Sequence, residues 1–153
     1  QVIEGNDYKV TLAPLFHPNG CYAYRVDYKG KTLVFSTDCE HYEDRPNKNL
    51  IELCKDADVL IYDAQYTEDE YYGLNGQFSR KGWGHSTMQE GVKVAKAANV
   101  KQLGLFHHDP SHDDNFIKQI EAESRQLFPK SIAAYEGLQI DLSQDACPKS
   151  LFD

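Results

Sequence analysis

The chain has 153 residues, 41% of them hydrophobic and 26% charged, which suits a single domain with a buried core rather than a disordered or fibrous segment. Its formal net charge of −8, from 24 acidic against 16 basic side chains, disfavours a broad surface for long nucleic acid. No run reaches the roughly 20 apolar residues of a membrane span, so no membrane partner is expected, and no repeat points to a solenoid.

Residues 8–16 read as a strand that ends in the turn sequence His17-Pro18-Asn19-Gly20. Residues 21–28 alternate and face residues 31–37 across Lys29-Gly30, the pattern of a hairpin. Pro46 opens a helix to about residue 55, with Leu50, Ile51, Leu53 and Cys54 for its inner face. A short buried strand follows at 59–62. Residues 67–84 are acidic, aromatic and glycine-rich, and predict a long surface loop with about one helical turn.

Ser86 or Thr87 caps the next helix, since both stand three residues before Gln89 or Glu90. That helix offers Val92, Val94, Ala95 and Ala98 for packing. A buried strand at 103–106 leads into the polar run from His107 to Asp114. A helix over 113–127 is expected to turn Phe116, Ile117, Ile120 and Leu127 inward. Strands at 132–135 and 138–142 then flank Glu136-Gly137, and the tail from Ser143 is expected to be loose. The alternation predicts an α/β fold, a mixed sheet with helices on one face. Because VLIY and LGLF are apolar at every position, both of their faces should be covered, yet the helices suffice for one.

Four cysteines, Cys21, Cys39, Cys54 and Cys147, form no C-x-x-C pair and read as free thiols of a reducing, cytoplasmic compartment. The chain begins at Gln1 and enters a strand early, which reads as a piece of a longer polypeptide: a single partial domain over residues 1–153.

Acids and imidazoles recur directly after the predicted strands: His17 after LAPLF, Asp38 after TLVFST, Asp63 after VLIY, His107 after LGLF. His85 stands between a glycine and a helix start, where a cation is disfavoured and a carboxylate-paired imidazole fits. Asp63 is the natural partner, and such a pair holds a general acid in one tautomer. Imidazole and carboxylate are also the donors a zinc-class cation takes. Each position has a structural account too: His17 as a turn residue, Asp38 as a turn cap. The roles of His41, His108 and His112 are open. No G-x-S-x-G elbow, P-loop or G-x-G-x-x-G turn occurs.

The stretches FHPNGCYAYRVDYKGKTLVFSTDCEH, ADVLIYDAQY, GWGHST and VKQLGLFHHDPSH, in that order, resemble the second half of the metallo-β-lactamase fold. The similarity is nearest to its ribonuclease Z-like and cyclic-phosphate phosphodiesterase branch. The resemblance implies half of an αββα sandwich carrying two divalent metal ions, usually zinc, with manganese or iron as alternatives. It implies His17, Asp38 and His107 as metal ligands, Asp38 bridging, and Asp63 with His85 as the catalytic acid–histidine pair.

The family's H-x-H-x-D-H motif has no counterpart here, so a missing N-terminal half or companion chain is the expected partner, and the 153 residues alone should hydrolyse little. The expected function is a metal-dependent phosphodiesterase acting on a small phosphodiester; a homo-oligomer is compatible. The alternatives are a lactone, thioester or β-lactam hydrolase, or a non-catalytic interaction domain using the tyrosine-rich loop over 65–83.

Overall fold

A computed structural model describes residues 1–143 and 147–152. Among these residues, seven strands form one sheet whose spatial order is simply chain order: β1 (Val2–Glu4), β2 (Tyr8–Leu15), β3 (Cys21–Tyr28), β4 (Lys31–Ser36), β5 (Val59–Asp63), β6 (Gln102–Phe106) and β7 (Ser131–Ala133). The first four are antiparallel and the last four parallel. Tyr28 pairs with Lys31, leaving Lys29 and Gly30 as a two-residue turn with φ of 47° and 75°. Positive φ at both central residues is the turn whose twist matches a hairpin.

Parallel neighbours need crossovers, and these are α1 (Lys48–Cys54), the short α2 (Glu68–Tyr72) with α3 (Met88–Ala97), and α4 (Asp114–Leu127). Crossovers are right-handed almost without exception, so a chain stepping always in one direction delivers its helices to one face. Accordingly α1 packs on α3, and α3 on α4. Val34, Leu60, Tyr62, Leu103 and Leu105 point from the strands into this layer, against Leu50, Leu53, Val92 and Ala95. Gly91 brings α3 close to the sheet: a Cβ there would stand 2.7 Å from the Tyr62 ring.

The helix starts follow the cap chemistry. Asn47, Thr67, Thr87 and Asp113 each accept the amide three residues on, and Thr67 with Glu70 completes a reciprocal capping box. The first helix therefore starts at Lys48, because Asn47 supplies the cap and Pro46 lies ahead of it. Three expectations fail. In α4 the inner face is Ile120, Glu121 and Ser124, while Phe116 and Leu127 are exposed. Polar partners decide that face: Glu121 accepts the Ala133 amide at 2.7 Å, and Ser124 donates to Ser131 Oγ at 2.8 Å. Residues 138–142 form no strand, since the segment after β7 turns at Glu136-Gly137 without pairing to it. The tail expected to be loose is partly packed: Ser150 is buried, and Tyr135 donates to the Lys149 carbonyl. Residues 144–146 and 153 lie outside the described residues.

The opposite face is open. Leu12, Tyr24, Phe35, Ile61 and Gly104 pair one to the next straight across five strands, so these positions share one row on one face. Tyr22, Tyr24, Phe35 and Phe106 on this face are 53%, 43%, 39% and 39% exposed. Four large rings on one sheet face form an apolar surface beyond the scatter of single exposed residues.

Candidate metal and acid–histidine site

The C-terminal edge of the parallel strands, with the turn after β2, gathers the predicted residues. Asp38 follows β4, Asp63 ends β5, His107 follows β6, and His17 follows β2. Asp38 and His107 sit at φ of 55° and 62°, where a non-glycine backbone costs about 1–3 kcal/mol. Strain of this kind persists where surrounding bonds over-determine the backbone.

At Asp38 the buried Asp63 supplies such a bond. Fully buried, it accepts the backbone amides of Asp38 at 2.9 Å, Cys39 at 3.4 Å, Gln65 at 3.2 Å and Ser86 at 3.2 Å. One carboxylate thus ties together three loops. It also accepts the His85 Nδ1 proton at 2.9 Å. A carboxylate cannot donate, so the ring carries its proton on Nδ1 and leaves Nε2 for the site. Burial opposes a charged His85, but the Asp63 hydrogen bond and charge, with Asp38 and Glu40 behind, hold its pKa above the ordinary value.

The rings then converge. His85 stacks on His107 with centroids 4.8 Å apart and meets the edge of His17 at 5.9 Å. His107 Nε2 lies 3.9 Å from Asp38, and its Nδ1, buried without a hydrogen bond, lies 3.7 Å from Asp63. Donor atoms of His17, Asp38 and His85 all fall within 4.8 Å of one another, as do those of Asp63, His85 and His107. Mixed imidazole and carboxylate donors at such spacing, with one buried imidazole nitrogen left over, fit a zinc-class cation. His17 and His107 belong to different groups, and His85 is common to both.

Glu40 is the residue that the sequence does not advertise. Its buried carboxylate accepts the Tyr71 hydroxyl at 2.8 Å and the Gly82 and Gly84 amides at 2.6 and 3.0 Å. These partners lie 31 to 44 positions away, so no local signal could reveal them. The result is a loop pulled over His17. At Gly84, with φ of 92°, a Cβ would stand 2.2 Å from the His17 ring, so glycine alone permits the approach.

The other histidines stay outside this focus. His41 shares a hydrogen bond with Ser86 Oγ at 2.9 Å, and burial pushes its pKa down. His112 pairs with Glu70 at 2.9 Å. His108 is packed behind His107, its pKa lowered by burial and then by His112. All four cysteines are free thiols; burial pushes Cys54 up to about 12 and Cys39 higher still.

A sheet of this mixed topology, layered with helices and bearing histidines and aspartates at one edge, defines an α/β fold with a candidate metal-binding edge. The family profile described as a Beta-lactamase superfamily domain matches residues 2–108, and the chain belongs to that family, on its ribonuclease Z-like branch. A protein named Ribonuclease Z from Brevibacillus brevis is 34% identical over 104 residues, covering 65% of this chain and 29% of that one. Zinc-bound PqqB from Methylobacterium extorquens superposes with a TM-score of 0.67 at 19% identity, over 92% of this chain and 50% of the other. A diphosphatase from the PhnP family matches with a TM-score of 0.57 at 22% identity, over 90% and 44%. The chain spans about a third of the length of the curated relatives it matches.

Proposed function

We propose that this chain is the acid–histidine part of a metal-dependent phosphodiesterase. The observation that carries the reading is the 2.9 Å Asp63–His85 pair, set at the junction of two clusters of donor atoms, His17 with Asp38 and His85, and His107 with Asp63 and His85. His17, Asp38 and His107 would hold two divalent cations, zinc by preference and manganese or iron as alternatives. When bound, the cations supply positive charge for the phosphoryl oxygens and a water acidic enough to attack phosphorus.

The chain's own residues do the rest. Asp63 fixes the His85 tautomer, and its hydrogen bond and charge favour the protonated ring. Nε2 of His85 gives that proton to the departing oxygen, and Asp63 steadies the ring as its charge changes. Glu40 and Gly84 hold the His17 ring in place. The remaining metal donors, an H-x-H-x-D-H segment, would come from residues outside this chain, as would the cover of the open sheet face. The acidic balance of 24 against 16 supports a small phosphodiester as substrate over a folded RNA.

The test uses the full-length protein. Metal analysis is expected to find about two equivalents of zinc, manganese or iron, and chelation to abolish phosphodiester hydrolysis. His85→Ala is expected to lower turnover by about 10² to 10⁴ with metal content intact. Loss of metal in that variant would make His85 a ligand and overturn the assignment. A folded, metal-free protein would instead support the interaction-domain reading.

A further inference from the structure

Trp83 is the only tryptophan of the chain, and it stands 58% exposed two residues before His85. Exposure of an indole usually accompanies a pliable backbone, but this one is held on both sides. The Gly82 and Gly84 amides that flank it both donate to the buried Glu40, and the Trp83 amide donates to the Arg80 carbonyl at 3.1 Å. The Arg80 amide in turn reaches the Glu70 and Tyr71 carbonyls at 3.1 Å each, anchoring the segment to α2.

Successive side-chain contacts join His85 to Trp83. The Tyr66 ring meets the His85 ring edge-on at 5.9 Å. The Arg80 guanidinium lies 6.0 Å from the Tyr66 centroid and 5.0 Å from that of Trp83. A guanidinium over an indole is an attractive cation–π pair, and it leaves Trp83 58% exposed. A rigid, exposed aromatic surface gains by stacking on another π system at little entropic cost.

We propose that Trp83, backed by Arg80, is a stacking platform for a nucleobase carried on the leaving-group side of the substrate. This rests on the reading of His85 as the proton donor to the leaving oxygen. The group that departs then leaves from His85, which stands two residues from Trp83 and is joined to it by the contacts through Tyr66 and Arg80. The preferred substrates are nucleotide phosphodiesters over equivalents lacking a ring.

Two cyclic phosphates test this with the full-length protein: 2′,3′-cyclic AMP and glycerol 1,2-cyclic phosphate, which share the reacting ring and differ in the base. Wild type is expected to prefer the nucleotide, and Trp83→Ala to shrink the ratio of the two kcat/KM values by about tenfold, through KM. Adenosine 3′-monophosphate is expected to quench tryptophan emission in wild type and not in Trp83→Phe, with glycerol phosphate silent in both. An unchanged ratio in Trp83→Ala, or the same emission response in wild type and Trp83→Phe, overturns the platform. If neither cyclic phosphate is hydrolysed, the phosphodiesterase reading falls, and the emission measurement alone decides the platform.

Discussion

Strand β5 has an aspartate at each end, and the two are surrounded differently. Asp58, just before the strand, accepts the Thr32 amide at 2.7 Å and the Lys101 ammonium at 2.8 Å, with Lys31 at 3.8 Å. Asp63, at the far end, has four backbone amides and imidazoles but no lysine or arginine within ion-pair reach among the described residues. Both carboxylates knit loops to the sheet. Only one is left with a titratable ring as its charged partner. A carboxylate satisfied by lysines is electrostatically finished at neutral pH, whereas one satisfied by amides still orients and tunes the imidazole it faces.

Removing each carboxylate separates the two roles. Asp63→Ala should have the largest effect. It should lower activity by at least the roughly 10² to 10⁴ of a positioned proton donor, and stability by on the order of 3–5 kcal/mol, because several buried amides lose their acceptor. Parallel kinetics and urea unfolding would check both; unchanged unfolding would mean that the three loops are held by something else. Asp58→Asn should lower stability by about 1–3 kcal/mol with kcat preserved, and a fall in kcat would remove the contrast between the two ends.

An acid titration sharpens the same contrast. Burial opposes ionisation of Asp58, but the Lys101 hydrogen bond, the Thr32 amide and the two lysine charges outweigh it and hold its pKa below the ordinary range. A depressed carboxyl contributes its full stability above the unfolded value of about 4 and loses it as pH falls through the folded pKa. Wild type should therefore lose stability below about pH 4, and Asp58→Asn should lose less over that interval, as read by unfolding at stepped pH. The smallest effect belongs away from both ends. Thr87→Ala removes the α3 cap and should cost about 1 kcal/mol, measured as a shift in the unfolding midpoint.

The sequence displays Asp63 more clearly than Asp58, because an acid closing a four-residue apolar run stands out. Strand periodicity over β2 to β6, the Lys29-Gly30 turn and the Thr87 cap are local signals, and those elements form where expected, whereas the strand expected at 138–142 does not form. The inner face of α4 is misread because Glu121 and Ser124 are buried through bonds to β7, a tertiary fact absent from helix periodicity. His17, Asp38, Asp63, His85 and His107 are each legible as polar residues beside apolar strands. Their mutual distances are not, since Asp63 reaches back 25 positions and onward 22 to make the cluster. Glu40 escapes for the same reason, and so does the alignment of Tyr66, Arg80 and Trp83.

A sheet laid down in the order β1 to β7 also has a kinetic corollary. Each new strand finds its partner in the one synthesised just before it, so no strand must wait for an insertion between two already joined. A nascent chain can grow this sheet by edge addition at translation speed, with α1, α3 and α4 docking as each crossover is completed. The aspartates and histidines are delivered in sequence to a common edge, and the constellation is complete once β6 and His107 have emerged.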